Sequence, residues 1–257
     1  EAGERDPEFL DTLEQLAVAQ KDWALLARIV ATQLAAAPPE RTEEIRDLAV
    51  RLGHLYYKRL DQPLDAAAAF LRAWRLQPSD LSLYRVIEGI LARTPSPTLQ
   101  IELYSAFLDL ARTTSRERVA TTLKLAGLLE QAERVDEACA RLEVLPTAPE
   151  VTATLERLYP QAERWSALAD LLRARLDQHP DNPAPVLRRL AQTLETGLRD
   201  LPGATDAWRA VLEVEPEDLP TVRALCRLLE AQKRWPELVE MSEREYGLCT
   251  DRRQQAY

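Results

Sequence analysis

The residues best suited to chemistry are few and scattered along the 257-residue sequence. The two histidines, His54 and His179, are 125 residues apart and fall in separate segments. The three cysteines, Cys139, Cys226 and Cys249, lack the paired spacing of a zinc site. The seven glycines are scattered singly, so there is no glycine-rich loop to hold a phosphate. We therefore expect a protein that is not an enzyme and that uses no metal and no cofactor.

Charge narrows the range of partners. The formal net charge is −9, and acidic and basic residues are interspersed. A nucleic-acid-binding protein usually has an excess of bases that neutralise phosphates, so this balance disfavours nucleic acid as the partner. No block of bases suits an anionic membrane, and no apolar run reaches the ~20 residues of a transmembrane helix. The cysteines are odd in number and each falls within a helical pattern, which favours a reducing, cytoplasmic setting.

Composition and periodicity indicate the elements that position these residues. The hydrophobic share of 46% consists mainly of Ala and Leu, which are good helix formers. Proline clusters divide the chain, and between them apolar residues recur at helical spacing, as at Leu168, Leu171, Leu172 and Leu176. The sequence thus predicts an all-α protein with about fifteen helical segments joined by short loops.

The helical segments repeat along the chain. Leu residues stand ten positions before the first residue of a following segment, in the pairs Leu13 and Trp23, Leu125 and Val135, Leu155 and Trp165, and Leu225 and Trp235. A second pattern of small, aromatic and proline residues recurs at an offset of 138, about four times 34.5. Periods of 34–35 residues that contain two helices are typical of a stacked α-solenoid.

These motifs resemble the tetratricopeptide repeat family. That family's pattern has a Leu-Gly or Leu-Ala pair and a Tyr in the first helix, then Ala, an aromatic, Ala and Pro in the second. It is matched most fully by Leu52, Gly53, Tyr56, Ala66, Phe70, Ala73 and Pro78. The resemblance implies a right-handed superhelix of stacked antiparallel hairpins, in which the first helix of each hairpin (helix A) lines a concave groove. The sequence also resembles the repeat arrays of bacterial scaffold and adaptor proteins.

The resemblance leads us to expect one solenoid domain over residues 1–257. We expect about seven hairpins plus the start of an eighth, because Asp251–Tyr257 resembles the opening of another helix A. The chain would then be a fragment of a longer array. Small residues such as Gly53 should let paired helices approach closely. Phe70, Trp165, Trp208 and Trp235 should fill the gaps between adjacent hairpins.

The resemblance also implies where a partner would bind, because ligands of the family contact the inward positions of helix A. In this sequence those positions are Asp47, Val50, His54, Tyr57, Lys58, Arg188, Gln192, Glu195, Arg223, Arg227 and Glu230. Arginine pairs bidentately with carboxylates, so Arg188, Arg223 and Arg227 could together anchor an acidic segment. Alternatively, each arginine pairs with a nearby glutamate such as Glu195 or Glu230 at the surface.

The sequence therefore predicts a scaffold or adaptor that binds a partner protein or peptide in the groove. A first alternative is a regulatory or substrate-recognition domain of a larger, enzyme-containing polypeptide. A second is a helical-repeat protein of RNA processing, which the acidic balance disfavours. The motifs specify architecture, and the oligomeric state and the identity of the partner do not follow from them.

Overall fold

The computed structural model describes residues 7–110, 114–145, 148–178 and 180–255, with side chains from residue 12 to residue 249 of these ranges. The described residues form fourteen α-helices and one π-helical turn, with no strand. The predicted all-α class is confirmed. His179 and Tyr257 lie outside the described residues.

The chain divides into two compact units, residues 1–141 and 142–257. The helices of the first unit are α1 (Pro7–Gln20), α2 (Trp23–Ala36), α3 (Thr42–Lys58), α4 (Pro63–Leu76), α5 (Leu81–Arg93), α6 (Pro97–Leu110), α7 (Ser115–Gln131) and most of α8 (Val135–Glu143). Those of the second are α9 (Pro149–Leu158), α10 (Trp165–Asp177), α11 (Ala184–Gln192), the π-helical turn (Thr193–Gly197), α12 (Leu201–Val214), α13 (Leu219–Ala231) and α14 (Trp235–Gln255). That all of residues 1–257 form one domain stays a prediction.

Four of the described helices, α2, α5, α7 and α12, begin at a residue whose side chain caps them. The carboxylates of Asp22, Asp80 and Asp200 each accept a hydrogen bond from a backbone N–H in the first turn of the following helix. Thr114 and Glu117 form a reciprocal capping box at the start of α7. These contacts satisfy N–H groups that have no partner inside a helix, which is why α2, α5, α7 and α12 start at defined residues.

Consecutive helices form antiparallel hairpins, and most of the turns within hairpins share one backbone feature. The residues with φ between 52° and 58° are Lys21, Asp61, Glu133, Glu163, Arg199 and Lys233. Each of them lies between the two helices of a hairpin. Glycine adopts this left-handed conformation most easily, yet none of the six positions has one. The turns are therefore a source of backbone strain in the described hairpins.

A close helix crossing holds the hairpin of α3 and α4 together. A Cβ atom added to Gly53 would lie 2.5 Å from Cε1 of Phe70, which is only 1% exposed. The partner helix supplies the small residues Ala66, Ala67 and Ala73, all buried. The structure thus confirms that Gly53 permits a close approach, and it shows Phe70 packed against Gly53 within the hairpin.

Between hairpins, the start of the second helix (helix B) is covered by the end of the next helix A at α2, α10 and α12. The Arg59 guanidinium at the end of α3 lies 4.6 Å from the centroid of the Trp23 ring at the start of α2. A Cβ added to Gly197, after α11, would lie 2.4 Å from the Trp165 ring at the start of α10. The Gln232 side chain after α13 donates to the Leu201 carbonyl at the start of α12, at 3.1 Å.

Two expectations about the last helix are wrong. Trp235 fills no gap between hairpins, because its side chain is 55% exposed. No new helix opens at Asp251, because α14 continues from Trp235 to Gln255 without a break. Within the described residues, no helix is both long and apolar enough to cross a membrane.

The close crossing predicts an unusual response to alanine at Gly53. Alanine normally stabilises a helix interior by about 0.5–1 kcal/mol relative to glycine, but here its methyl group has to displace the buried Phe70 ring. We expect Gly53→Ala to lower the free energy of unfolding by about 1 kcal/mol or more in urea denaturation. The matched control is Gly89→Ala, because a Cβ at the exposed Gly89 meets no atom within 4 Å. Equal stabilisation by both alanines would contradict the close crossing.

The strained turns predict that glycine stabilises them. Relief of a left-handed conformation is worth about 1–2 kcal/mol, more than the entropic cost of glycine at about 0.5–1 kcal/mol. We expect Glu133→Gly, at a φ of 58°, to raise the free energy of unfolding by about 0.5–1 kcal/mol. Glu133→Ala removes the same side chain without relieving the strain, so it should give no gain. A gain from alanine as large as that from glycine would assign the effect to the side chain instead.

Candidate functional site

The five predicted site residues of the first unit all lie on α3. Asp47, Val50, His54 and Lys58 line one open depression of about 400 Å³, and Tyr57 lies beside it with 40% of its surface exposed. Their spacing of three or four residues places them along one side of the helix. The opposite side of α3 includes the buried residues Ala49, Leu52 and Gly53, which fix the helix against its neighbours.

The depression has an apolar floor. Val50 and Leu55 are partly buried members of the lining. The ring of His54 meets the ring of Phe70 edge to face, with centroids 5.2 Å apart and planes inclined at 77°. Phe70 also packs against Gly53. The close crossing of α3 and α4 therefore positions the His54 ring, which forms one wall of the depression.

The rim of the depression is cationic. Arg51, Lys58 and Arg59 line it together with a single carboxylate, that of Asp47. Arg51 is already paired with Glu14 of α1, and Arg59 is stacked over Trp23. Lys58 is exposed, and the described side chains include no carboxylate paired with it. Lys58 is therefore the cation most available to a ligand, in a chain whose net charge is −9.

Sequence reasoning missed three residues of this lining, Arg51, Leu55 and Arg59. Their signal was present, because Arg51 lies three residues before His54 and four after Asp47, which is the spacing of neighbours on a helix surface. Arg59 was harder to find, since it follows the last residue of α3, and its guanidinium group stacks over the Trp23 ring of α2.

The histidine of this site has an altered proton affinity. Partial burial disfavours the charged imidazolium and lowers the pKa of His54 below its ordinary value of 6.5, and the nearby Lys58 ammonium lowers it further. His54 is therefore neutral at pH 7. Carboxylates brought into the depression would favour the imidazolium and raise this pKa, so the ring reports on an acidic ligand.

The predicted arginines of the second unit do not form a shared, unpaired patch. The Arg227 Nη2 atom lies 2.6 Å from a carboxylate oxygen of Glu195, and the Arg223 Nε atom lies 2.8 Å from one of Glu245. Arg188 is paired with Glu215 and, at 3.3 Å, with Asp218. An acidic ligand would have to displace these carboxylates before it could use the three guanidinium groups.

The remaining predicted positions differ in their surroundings. Gln192 and Glu230 are exposed. Glu195 lies in the π-helical turn, where it also accepts a hydrogen bond from Trp208 Nε1 at 3.4 Å. Glu195 is thus engaged by two partners from two different helices, whereas Glu230 has no ion pair among the described side chains. A role of any of these residues in binding a partner stays a prediction.

Reactive groups do not converge in the described part of the chain. Among its side chains, no group of three or more His, Cys, Asp and Glu is close enough to hold a metal ion. No disulfide joins the three cysteines, of which Cys139 is buried and Cys226 and Cys249 are partly buried. Burial raises the pKa of the Cys226 thiol, so this sulfur is less reactive than a free cysteine.

Comparison with known proteins finds similarity in solved structures alone. No protein-family model and no curated protein matches the chain. A structure of MamA from AMB-1 is 20% identical over 64% of this chain and 96% of its own, with a TM-score of 0.41. PilF from Pseudomonas aeruginosa is 18% identical over 78% and 90%, with a TM-score of 0.34. The TPR domain of P58(IPK) is 14% identical over 88% and 66%, with a TM-score of 0.33.

The P58(IPK) structure is of a TPR domain, and likeness at this level of identity concerns the fold alone. The tetratricopeptide-like architecture predicted from the sequence is evident in the chain's own helical hairpins, above all in the crossing of Gly53 with Phe70.

The electrostatics of the depression can be measured by NMR titration of His54. We expect its pKa below 6.5, and we expect Lys58→Gln to raise it only part of the way, because burial is the larger cause. Lys124→Gln removes a cation that is paired with Glu88 and should leave the His54 pKa unchanged. A wild-type pKa at or above 6.5 would contradict this description of the site.

Proposed function

We propose that this protein is a non-enzymatic scaffold that binds an acidic segment of a partner protein in the depression on α3. The observation that supports this proposal is the combination of an apolar floor with a rim of three cations and one carboxylate. Its three cysteines, an odd number without the density of a disulfide framework, are consistent with a reducing, cytoplasmic setting.

The shape and chemistry of the depression suit an extended peptide better than a small molecule. It is open to solvent along α3, whereas small-molecule sites usually enclose most of their ligand. Apolar side chains of the peptide would contact Val50 and Leu55, and its carboxylates would pair with Lys58. An exposed ion pair of this kind contributes up to about 1 kcal/mol, in addition to what the apolar contacts supply.

We propose that the acidic segment binds α3 rather than the C-terminal arginines, because carboxylates of the chain itself compete for those arginines. Arg188, Arg223 and Arg227 already bind carboxylates of their own chain. A ligand would there exchange one ion pair for another, with little net gain at an exposed surface. Lys58 offers a positive charge without that exchange.

The proposal can be tested by fluorescence anisotropy with a short fluorescein-labelled peptide of alternating Glu and Leu. We expect Lys58→Glu to weaken binding about tenfold or more, because it replaces attraction by repulsion. The matched control is Lys233→Glu, which makes the same change of charge at an exposed turn of the second unit. Binding of the peptide should also raise the pKa of His54.

The same variants separate this site from the one predicted at the C-terminal arginines. Arg223→Glu combined with Arg227→Glu should leave peptide binding within about twofold of the wild type, since both arginines are already paired at the surface. If this double variant abolishes binding while Lys58→Glu does not, the acidic segment binds at α13. If neither changes it, the proposal is wrong on both its site and its ligand.

A further inference from the structure

One helix of the second unit presents a face that corresponding helices bury. Trp235 is 55% exposed and Val239 is 58% exposed, one turn apart on α14. At the corresponding starts of α2, α10 and α12, the end of the next helix A supplies Arg59, Gly197 or Gln232 as a cover. The described residues supply no such cover to Trp235.

Two carboxylates next to this face also lack an ion-pair partner among the described side chains. Glu195, after α11, pairs with Arg227 of α13, the next helix A along the chain. Glu230 stands 35 residues after Glu195, which is one repeat, and it is exposed. Glu243 is a second exposed carboxylate, one helical turn beyond Val239 on α14. Neither carboxylate has an ion pair among the described side chains.

These observations define what would cover the face. Apolar surface at Trp235 and Val239 requires an apolar stripe, and Glu230 and Glu243 require bases beside that stripe. A second copy of this chain does not supply them through α1, because the sequence of α1 contains three acids and no base. A helix in the position that α13 takes on α12 would instead bring an arginine towards Glu230.

We infer that the outer face of α14, together with Glu230, is a docking surface for a basic amphipathic helix of a partner protein. The partner helix ends over Trp235 with a small residue or a guanidinium group, as Gly197 and Arg59 do at the two equivalent tryptophans. One of its arginines pairs with Glu230. This interface is separate from the proposed function, since α3 takes an acidic segment and α14 takes a basic one.

The probe for this surface is a helix that the chain itself uses for the same task. A synthetic peptide of residues 218–234 contains the α13 sequence, including the arginine that pairs with Glu195. A hydrocarbon staple between its positions 223 and 230, both exposed in α13, keeps the peptide helical. Its fluorescein-labelled form is titrated with the full 257-residue chain.

We expect saturable binding that depends on the tryptophan and on the ion pair. Trp235→Ala should weaken binding about thirtyfold, as for an aromatic residue at the centre of an interface. Arg227→Glu in the peptide or Glu230→Arg in the protein should each weaken it about fivefold, the upper range for an exposed ion pair. Combining the two changes should restore the wild-type affinity, which a merely structural effect of either would not do.

Three experimental results would contradict a docking surface for a basic helix on α14. Absence of binding by the stapled peptide, or unchanged binding by Trp235→Ala, overturns it. Sedimentation that shows a dimer of the chain, dissociated by Trp235→Ala, overturns it in favour of a second copy as the occupant. Lys58→Glu should leave this binding unchanged, so failure here is distinguishable from failure of the site on α3.

Discussion

The architecture depends on the burial of each helix B on two sides at once. In α4, the buried residues include Ala69 and Leu71, which lie on nearly opposite sides of the helix because an α-helix turns by about 100° per residue. Phe70 packs towards Gly53 of α3, while the Trp74 ring lies 5.7 Å from Tyr84 of α5 and 6.3 Å from Phe107 of α6. A single hairpin cannot bury both sides, so its stability depends on its neighbours, as in other repeat proteins.

The same dependence of each hairpin on its neighbours explains how the charged side chains pair. Glu14 of α1 pairs with Arg51 of α3, Glu88 of α5 with Lys124 of α7, and Glu195 with Arg227. In sequence these pairs are 37, 36 and 32 residues apart, close to one repeat. Many bases on helix A therefore bind carboxylates of the preceding helix A. A cation such as Lys58, without such a partner, is a stronger candidate for ligand binding than an arginine within these pairs.

The sequence was sufficient for the fold because the fold depends on local and periodic signals. Proline, the aspartate caps and the apolar spacing determine where helices begin, and the close crossing at Gly53 follows from a residue without a side chain. The turns were harder to foresee, because Lys21, Glu133 and the other left-handed residues are not the types that favour that conformation.

The candidate site was only partly predictable. The sequence predicted where the site residues lie on their helices, but not which carboxylates pair with the arginines. The register on α3 placed Asp47, Val50, His54 and Lys58 on one side of the helix, and they do share the depression. The register could not show that Arg188 meets Glu215 or that Arg223 meets Glu245. Those contacts depend on how far neighbouring helices lie apart and on which rotamers the long side chains adopt.

Three tryptophans show most clearly what a repeat pattern does not predict, namely the residue that covers each ring. Trp23, Trp165 and Trp235 hold the same position at the start of a helix B, and the repeat pattern assigned Trp165 and Trp235 the same role. The first meets a guanidinium group and the second meets the backbone of Gly197, while the third is largely exposed. A large aromatic ring is favourable at such a position because a neighbour covers it. The identity of the residue is therefore evidence that a cover belongs there, and only the neighbouring helix determines what that cover is.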